Sequence, residues 1–328
     1  MVVAGLVVTG ACTDDPRPVA KATPPSSAAL NVDETPTTTP ARVTPDVTPG
    51  DPSPVPAAAS TPVPLVTPLP VASVVLPLVD DSRPTVSGGE PLSSTRALTT
   101  WVWYPLDPGG GPWPLVVFAH GYEVGPAPYA ALCEAWAAAG YIVAAPEFPL
   151  TDEDVAGDWL DEYDIENQPD DVRFVIGSLV APDSPLPVRV DPDRLAVAGH
   201  SDGGVTALGV AVEPLDGLRA VIALSAAPVY GSVDNPPILV VQGDEDDISG
   251  YESGAEVYGE AVSPRYMLTL LGGGHLPPFL DGSEYLDTVD KVAVAFLDRY
   301  VAGRPPTADD PLDGTGVDPD VATLDADP

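Results

Sequence analysis

The sequence predicts a twisted, mostly parallel α/β sheet with helices on both faces, and three observations carry that expectation. Short apolar bursts alternate with amphipathic stretches from residue 97 to residue 303. Several bursts, such as Leu115-Val116-Val117-Phe118-Ala119, are continuous rather than alternating, as in strands buried on both faces. Helical stretches separate most of them, which calls for right-handed crossovers and so places helices on both sides of the sheet.

Taken in order, residues 98–104 alternate and are rich in Thr, Val and Trp, the pattern of a half-buried strand. Residues 115–119 form a buried strand ending at His120-Gly121. Residues 128–139 read as a helix closed by Gly140, and 141–145 as a strand stopped by Pro146. Pro169 opens a helix over 170–179. Residues 195–199 run as a strand into the turn 200–204, and 205–212 follow as a helix. Residues 220–225 and 238–242 are two strands joined by a short loop; 249–262 read as a helix and 266–271 as the last strand. Ser283 is expected to cap a long helix whose apolar stripe runs Leu286, Val289, Ala293, Phe296, Leu297 and Tyr300, with Gly303 ending it.

The 328 residues divide by composition. Residues 1–12 resemble an export signal: an apolar run, then Thr9-Gly10-Ala11 before Cys12, as in a lipoprotein signal whose Cys is lipidated, although a basic start is missing. The run is too short to span a membrane. Residues 13–79 are rich in Pro and Thr and read as a disordered linker, residues 80–303 as the catalytic domain, and residues 304–328 as an acidic disordered tail. These ends place the protein outside the cell or on its surface, tethered through Cys12 and otherwise monomeric. Cys133, the other cysteine, falls in an apolar helical run and is expected to be buried and inert. Forty-nine acidic residues against 13 basic ones give a net charge of −36, with Lys only at 21 and 291; such a surface repels phosphate backbones and argues against nucleic-acid binding.

The chemistry is carried by Gly199-His200-Ser201-Asp202-Gly203, a G-x-S-x-G string. The pattern needs small residues two positions either side because the Ser sits on a sharp strand-to-helix turn. Here it follows a strand and opens a helix, the context it requires. A serine hydroxyl needs a base to become nucleophilic. Three His are present. His120 sits at a strand end and is expected to shape a loop, and His200 precedes the nucleophile and should point away from it. His275, after the last strand and Gly272-Gly273-Gly274, is the base by elimination. A carboxylate must orient the imidazole. The strand 238–242 ends in Gly243-Asp244-Glu245-Asp246-Asp247, and Asp246 is the choice, with Asp247 in reserve. Two backbone donors should hold the oxyanion, one at Asp202 and one at Tyr122. The Tyr122 ring is also a candidate contact for substrate. No cofactor and no metal are expected; the acidic loop lacks the alternating spacing of calcium loops.

The stretches 96–105, 114–122 and 168–175, with 199–204 and Gly274-His275, resemble bacterial α/β hydrolases related to platelet-activating-factor acetylhydrolases, and more distantly dienelactone hydrolases and cutinase-like polyester hydrolases. The resemblance spans roughly residues 80–302 and implies the α/β-hydrolase fold. By analogy with the polyester hydrolases, Gly121-Tyr122 corresponds to their oxyanion loop and Asp246-Asp247-Ile248 to the loop of their acid. Residues 226–230, with Tyr230, fall where they place an aromatic cleft wall and imply a substrate contact at Tyr230. Asp202 stands where they usually carry Met, Val229-Tyr230 where a Trp is usual, and paired Cys near the C-terminus are absent. Residues 226–237 leave little room for a lid domain, and the main insertion, 151–167, reads as an acidic surface loop with Trp159 and Tyr163. The expectation is a secreted serine esterase acting through an acyl-enzyme on short-chain or accessible esters. The alternatives are a polyester hydrolase, a peptidase or amidase of the same fold, and a non-catalytic binding module.

Overall fold

The computed structural model describes residues 68–328 except 108, 230–235 and 308. The signal-like segment with Cys12, most of the stretch read as a linker, and Tyr230 therefore lie outside the described residues. In chain order the elements are β1 (Val71–Asp80), β2 (Thr85–Ser87), β3 (Glu90–Ser93), β4 (Arg96–Pro105), β5 (Trp113–Ala119), α1 (Ala130–Ala138), β6 (Ile142–Pro146), α2 (Glu153–Ala156), α3 (Gln168–Val180), β7 (Val190–His200), α4 (Asp202–Val212), β8 (Leu218–Leu224), β9 (Ile238–Gly243), α5 (Gly250–Glu260), β10 (Arg265–Leu270), α6 (Leu286–Leu297) and β11 (Ala322–Asp327).

Nine strands form one sheet in the order β1-β4-β6-β5-β7-β8-β9-β10-β11, and β2 and β3 make a separate hairpin. The six strands from β6 to β10 run parallel. Their residues explain this: every residue of β5, β6 and β9 is buried, so both faces of these strands are covered. On one face Leu132 and Trp136 of α1 pack with Val289, Val292 and Phe296 of α6 against Val116, Phe118 and Ile222. On the other, Val172 and Ile176 of α3, Ala207 and Val210 of α4 and Val257 of α5 cover Leu115, Val117 and Val197. Cys133 lies fully buried in the first layer, and burial pushes its thiol up, away from the reactive thiolate. This is the α/β-hydrolase fold.

The strand order decides where a ligand can sit. From β5 the chain crosses to β6 on one side, then returns to place β7 on the other. Connections leaving in opposite directions open a crevice outside the carboxyl ends of β5 and β7. Gly121 follows the first and Ser201 the second.

Three expectations need correction. Residues 71–79, read as linker, are the body of β1, which pairs with β4 from Val71↔Pro105 to Asp80↔Arg96. The supposed tail 304–328 contains a 3-10 turn (Pro311–Asp313) and then β11, which adds to the sheet antiparallel to β10, so residues 266–271 are not the last strand. Ser283 does not cap α6: its Oγ accepts the Tyr285 N–H at 3.2 Å, and Tyr285 itself is the cap position. The helix continues through a π turn (Asp298–Ala302) to Gly303 in the left-handed region.

The insertion 151–167 is more than a solvated loop. Asp164 within it and Asp171 in α3 are buried and clasp Arg96 of β4, which is 1% exposed. Arg96 meets Asp171 through Nε at 2.8 Å and a terminal nitrogen at 2.6 Å, and Asp164 at 3.0 and 2.8 Å. One bidentate pair thus ties the insertion to the sheet, and a second ties α3 to the same arginine.

Candidate active site

Ser201 sits between β7 and α4 at φ 54°, ψ −122°, a conformation that L-residues avoid. The surroundings hold it there: its N–H donates to Leu224 O at 2.9 Å and its carbonyl accepts Val205 N–H at 3.0 Å. The flanking glycines follow from close packing of this turn. A Cβ on Gly199 would run into the Gly203 carbonyl, and one on Gly203 into the Ala119 carbonyl at the end of β5. Gly121 is tight in the same way, since a Cβ there would lie 3.1 Å from His200 Nδ1 and 3.3 Å from Ser201 Cβ. The turn therefore packs directly against the loop after β5.

The structure brings the three chosen side chains together. His275 Nε2 lies 2.9 Å from Ser201 Oγ, and its Nδ1 lies 2.9 and 3.1 Å from the two oxygens of Asp246. Asp246 is buried while its neighbours Asp244, Glu245 and Asp247 are exposed, which sets aside Asp247 as the imidazole's partner. Asp246 Oδ1 also accepts the N–H groups of Ile248 and Ser249, both at 2.9 Å, and Oδ2 accepts Gln242 Nε2 at 3.0 Å. Burial opposes the charge on Asp246, but the bonds from His275 and these N–H groups outweigh it and hold the carboxyl below its ordinary range. Gln242 escaped notice in the sequence; its signal is one amide in the otherwise apolar β9. The glycine loop before His275 is fastened, since Gly272 N–H donates to Asp244 Oδ1 at 2.6 Å and Glu245 N–H to Gly273 O at 3.0 Å.

The other two His are structural. His120 Nδ1–H donates to Gly121 O at 2.9 Å and Nε2 accepts Phe148 N–H at 3.0 Å. Burial lowers its pKa to about 4, so the ring is neutral at neutral pH. His200 points away from Ser201, with Nδ1 2.8 Å from Tyr129 Oη and Nε2 3.0 Å from the His275 carbonyl oxygen.

Asp202 is the first residue of α4 and Tyr122 follows Gly121. Among the described residues neither N–H has a backbone acceptor, so both are available to an oxyanion at the crevice. Tyr122 is half-buried beside the site; burial raises its phenol pKa first, then the charges of Glu123, Glu162, Asp161 and Asp202. The Asp202 carboxyl has one buried oxygen without a partner among the described residues, and burial, then the charge of Glu162, push its pKa up to about 6, against the opposing pull of His275. Negative charge therefore lines this side of the crevice.

The sequence matches the chlorophyllase family model over residues 91–241, a segment that holds Tyr122, Ser201 and Asp202 but stops short of Asp246 and His275. No curated protein matches it. Among solved structures it is similar to a ferulic acid esterase from Streptomyces cinnamoneus, with 22% identity and a TM-score of 0.62, over 77% of this chain and 97% of that one. At that identity the likeness speaks for the fold.

Proposed function

We propose, from the premise that this chain is an α/β hydrolase of the carboxylic ester hydrolase kind, that it is a serine esterase working through an acyl-enzyme on short-chain or accessible esters. Ser201 Oγ attacks the ester carbonyl while His275 Nε2 takes its proton. Asp246 keeps the Nδ1–H tautomer and stabilises the imidazolium. The N–H groups of Tyr122 and Asp202 receive the oxyanion, each worth about 3 kcal/mol to the transition state. Collapse expels the alcohol with the proton from His275. Water, deprotonated by the same ring, then attacks the acyl-Ser201 carbonyl, and collapse releases the acid as His275 returns that proton to Ser201 Oγ.

The observation that supports this reading best is the 2.9 Å contact between Ser201 and His275 at a strained strand-to-helix turn. The test is turnover of p-nitrophenyl esters of graded length together with labelling of Ser201 by a fluorophosphonate. Absence of both would reject the reading, and comparable turnover of matched amides would replace it with a peptidase.

The carboxylate at Asp202 gives a pH-dependent prediction about substrate charge. Its folded pKa is near 6, so the group is mostly neutral at pH 5 and mostly charged at pH 8. An ester whose acyl end carries a carboxylate, such as p-nitrophenyl adipate, is then repelled more strongly as pH rises. The rate ratio of p-nitrophenyl hexanoate to the adipate monoester should climb about fivefold across this range at low salt, a change of roughly 1 kcal/mol expected for partly screened charges several ångströms apart. His275 serves both substrates and cancels from the ratio. Asp202→Asn should flatten the climb, and an unchanged slope in that variant would refute the assignment.

Export and lipid attachment at Cys12 belong to the same proposal and rest on the small residues that precede it. Incorporation of labelled fatty acid that disappears in Cys12→Ser is the expected result; a protein released unlabelled would remove the tether.

A further inference from the structure

The base's carbonyl is gripped by the residue next to the nucleophile, and that grip has a chemical precondition. A carbonyl oxygen only accepts, so the 3.0 Å contact between His200 Nε2 and His275 O requires a proton on Nε2. His200 is 2% exposed, and burial, helped by the charge of His275, lowers its pKa to about 3, so the ring carries only that one proton. Its Nδ1 is then a bare acceptor and must receive the Tyr129 hydroxyl at 2.8 Å. Tyr129 is fully buried, and Phe118 packs against it with ring centroids 4.9 Å apart and planes tilted by 49°. His200 in turn packs against His275 at 4.7 Å and Phe279 at 5.1 Å.

We propose that Tyr129 is a positioning residue for the esterase reaction: by donating to His200 Nδ1 it selects the tautomer whose Nε2–H holds the His275 backbone in place. The inference rests on the serine-esterase reading for its kinetic consequence, though not for its geometry. Without the hydroxyl, His200 either leaves a buried acceptor unsatisfied or moves its proton to Nδ1. In the second case two lone pairs, on Nε2 and on the His275 carbonyl, face each other and push the base's loop outward. Tyr129 ends a one-turn 3-10 segment (Ala127–Tyr129) and is the cap position before α1, downstream of Gly121 on the connection from β5. The same hydroxyl therefore links the oxyanion side of the crevice to the base side.

The test is Tyr129→Phe, which removes one oxygen from a packed ring. Its kcat for p-nitrophenyl butyrate should fall about tenfold to a hundredfold, the scale of a base misplaced by up to an ångström, with KM little changed. Nitrogen-15 NMR of labelled His should show wild-type His200 as the Nε2–H tautomer alone and a mixture in the variant. A second comparison stands if Tyr129→Phe fails to fold: His200→Gln, whose amide N–H can reach the same carbonyl, should retain more kcat than His200→Leu. Wild-type kcat in Tyr129→Phe, a single unchanged tautomer, or Gln no better than Leu would each overturn the proposal. A wild-type protein that shows the Nε2–H tautomer but cleaves no ester would instead remove the proposed function and leave the clamp standing.

Discussion

Ser201→Ala should lower kcat for p-nitrophenyl butyrate by about a millionfold, the scale seen when one member of a serine triad is removed. The argument is geometric. Ser201 is held at a strained φ by two main-chain bonds, and its half-exposed hydroxyl meets a base at 2.9 Å. Among the described residues no other serine or threonine hydroxyl is paired to an imidazole at the crevice, and the buried Ser225 hydroxyl has no hydrogen-bond partner there. His275→Ala should lose about as much, and the double variant scarcely more, because the two act as a unit. Asp246→Asn should cost less, about ten-thousandfold, through the wrong tautomer of His275. The measurement is steady-state kinetics with the fold checked by circular dichroism. A well-folded Ser201→Ala that keeps a tenth of the wild-type rate would end the acyl-enzyme proposal.

The largest effect on stability should come from Arg96→Met, far from the reacting atoms. The guanidinium is removed from water and held by both oxygens of Asp164 and both of Asp171. Burial works against its charge, yet these bonds raise its affinity for the proton further still. Arg83 completes the cluster, reaching Asp171 at 2.6 Å and Asp80 at 2.7 Å. Truncating Arg96 leaves two buried carboxylates, Asp171 with Arg83 and Asp164 with the Asn167 amide at 2.8 Å, and breaking a buried pair in this way costs about 3–5 kcal/mol. For a domain of this size that is a fall in melting temperature of roughly 10 °C. Asp170→Asn is the control: its pair with Arg173 is 3.4 Å long and exposed, so the loss should stay under about 1 kcal/mol. Equal melting temperatures for Arg96→Met and Asp170→Asn would show that the cluster does not hold the insertion down.

The interior of the sheet was legible because strands buried on both faces leave continuous apolar runs, and Leu115–Ala119 needs no partner to be recognised. The edges were not. Pro77 interrupts β1, and three of the six residues of β11 are Asp or Thr facing outward, so each reads as linker until its pairing partner is known. At the site, Ser201 came from its motif and His275 from there being only three candidates. Asp246 was preferred with Asp247 in reserve, and burial together with the contact to His275 Nδ1 separates the two, which a run of acidic residues does not encode. Gln242 and Tyr129 were invisible as partners, since an amide or phenol inside an apolar run carries no mark of what it will bond. Tyr230, the other aromatic expected in the cleft, lies outside the described residues.

The two outer strands share a further property. Thr99 O accepts the Glu147 N–H, so Thr99 turns its polar backbone toward β6; Pro77, opposite it, turns its nitrogen outward, where no hydrogen is available to offer. At the far side β11 presents Asp325 and Asp327 along a six-residue strand. A proline at one margin and fixed charges at the other deny a passing extended chain the ladder it would need to dock. The sheet is thus terminated at both described margins by the chain itself, and this nine-stranded ribbon of main-chain donors and acceptors offers little foothold for growth into a fibre.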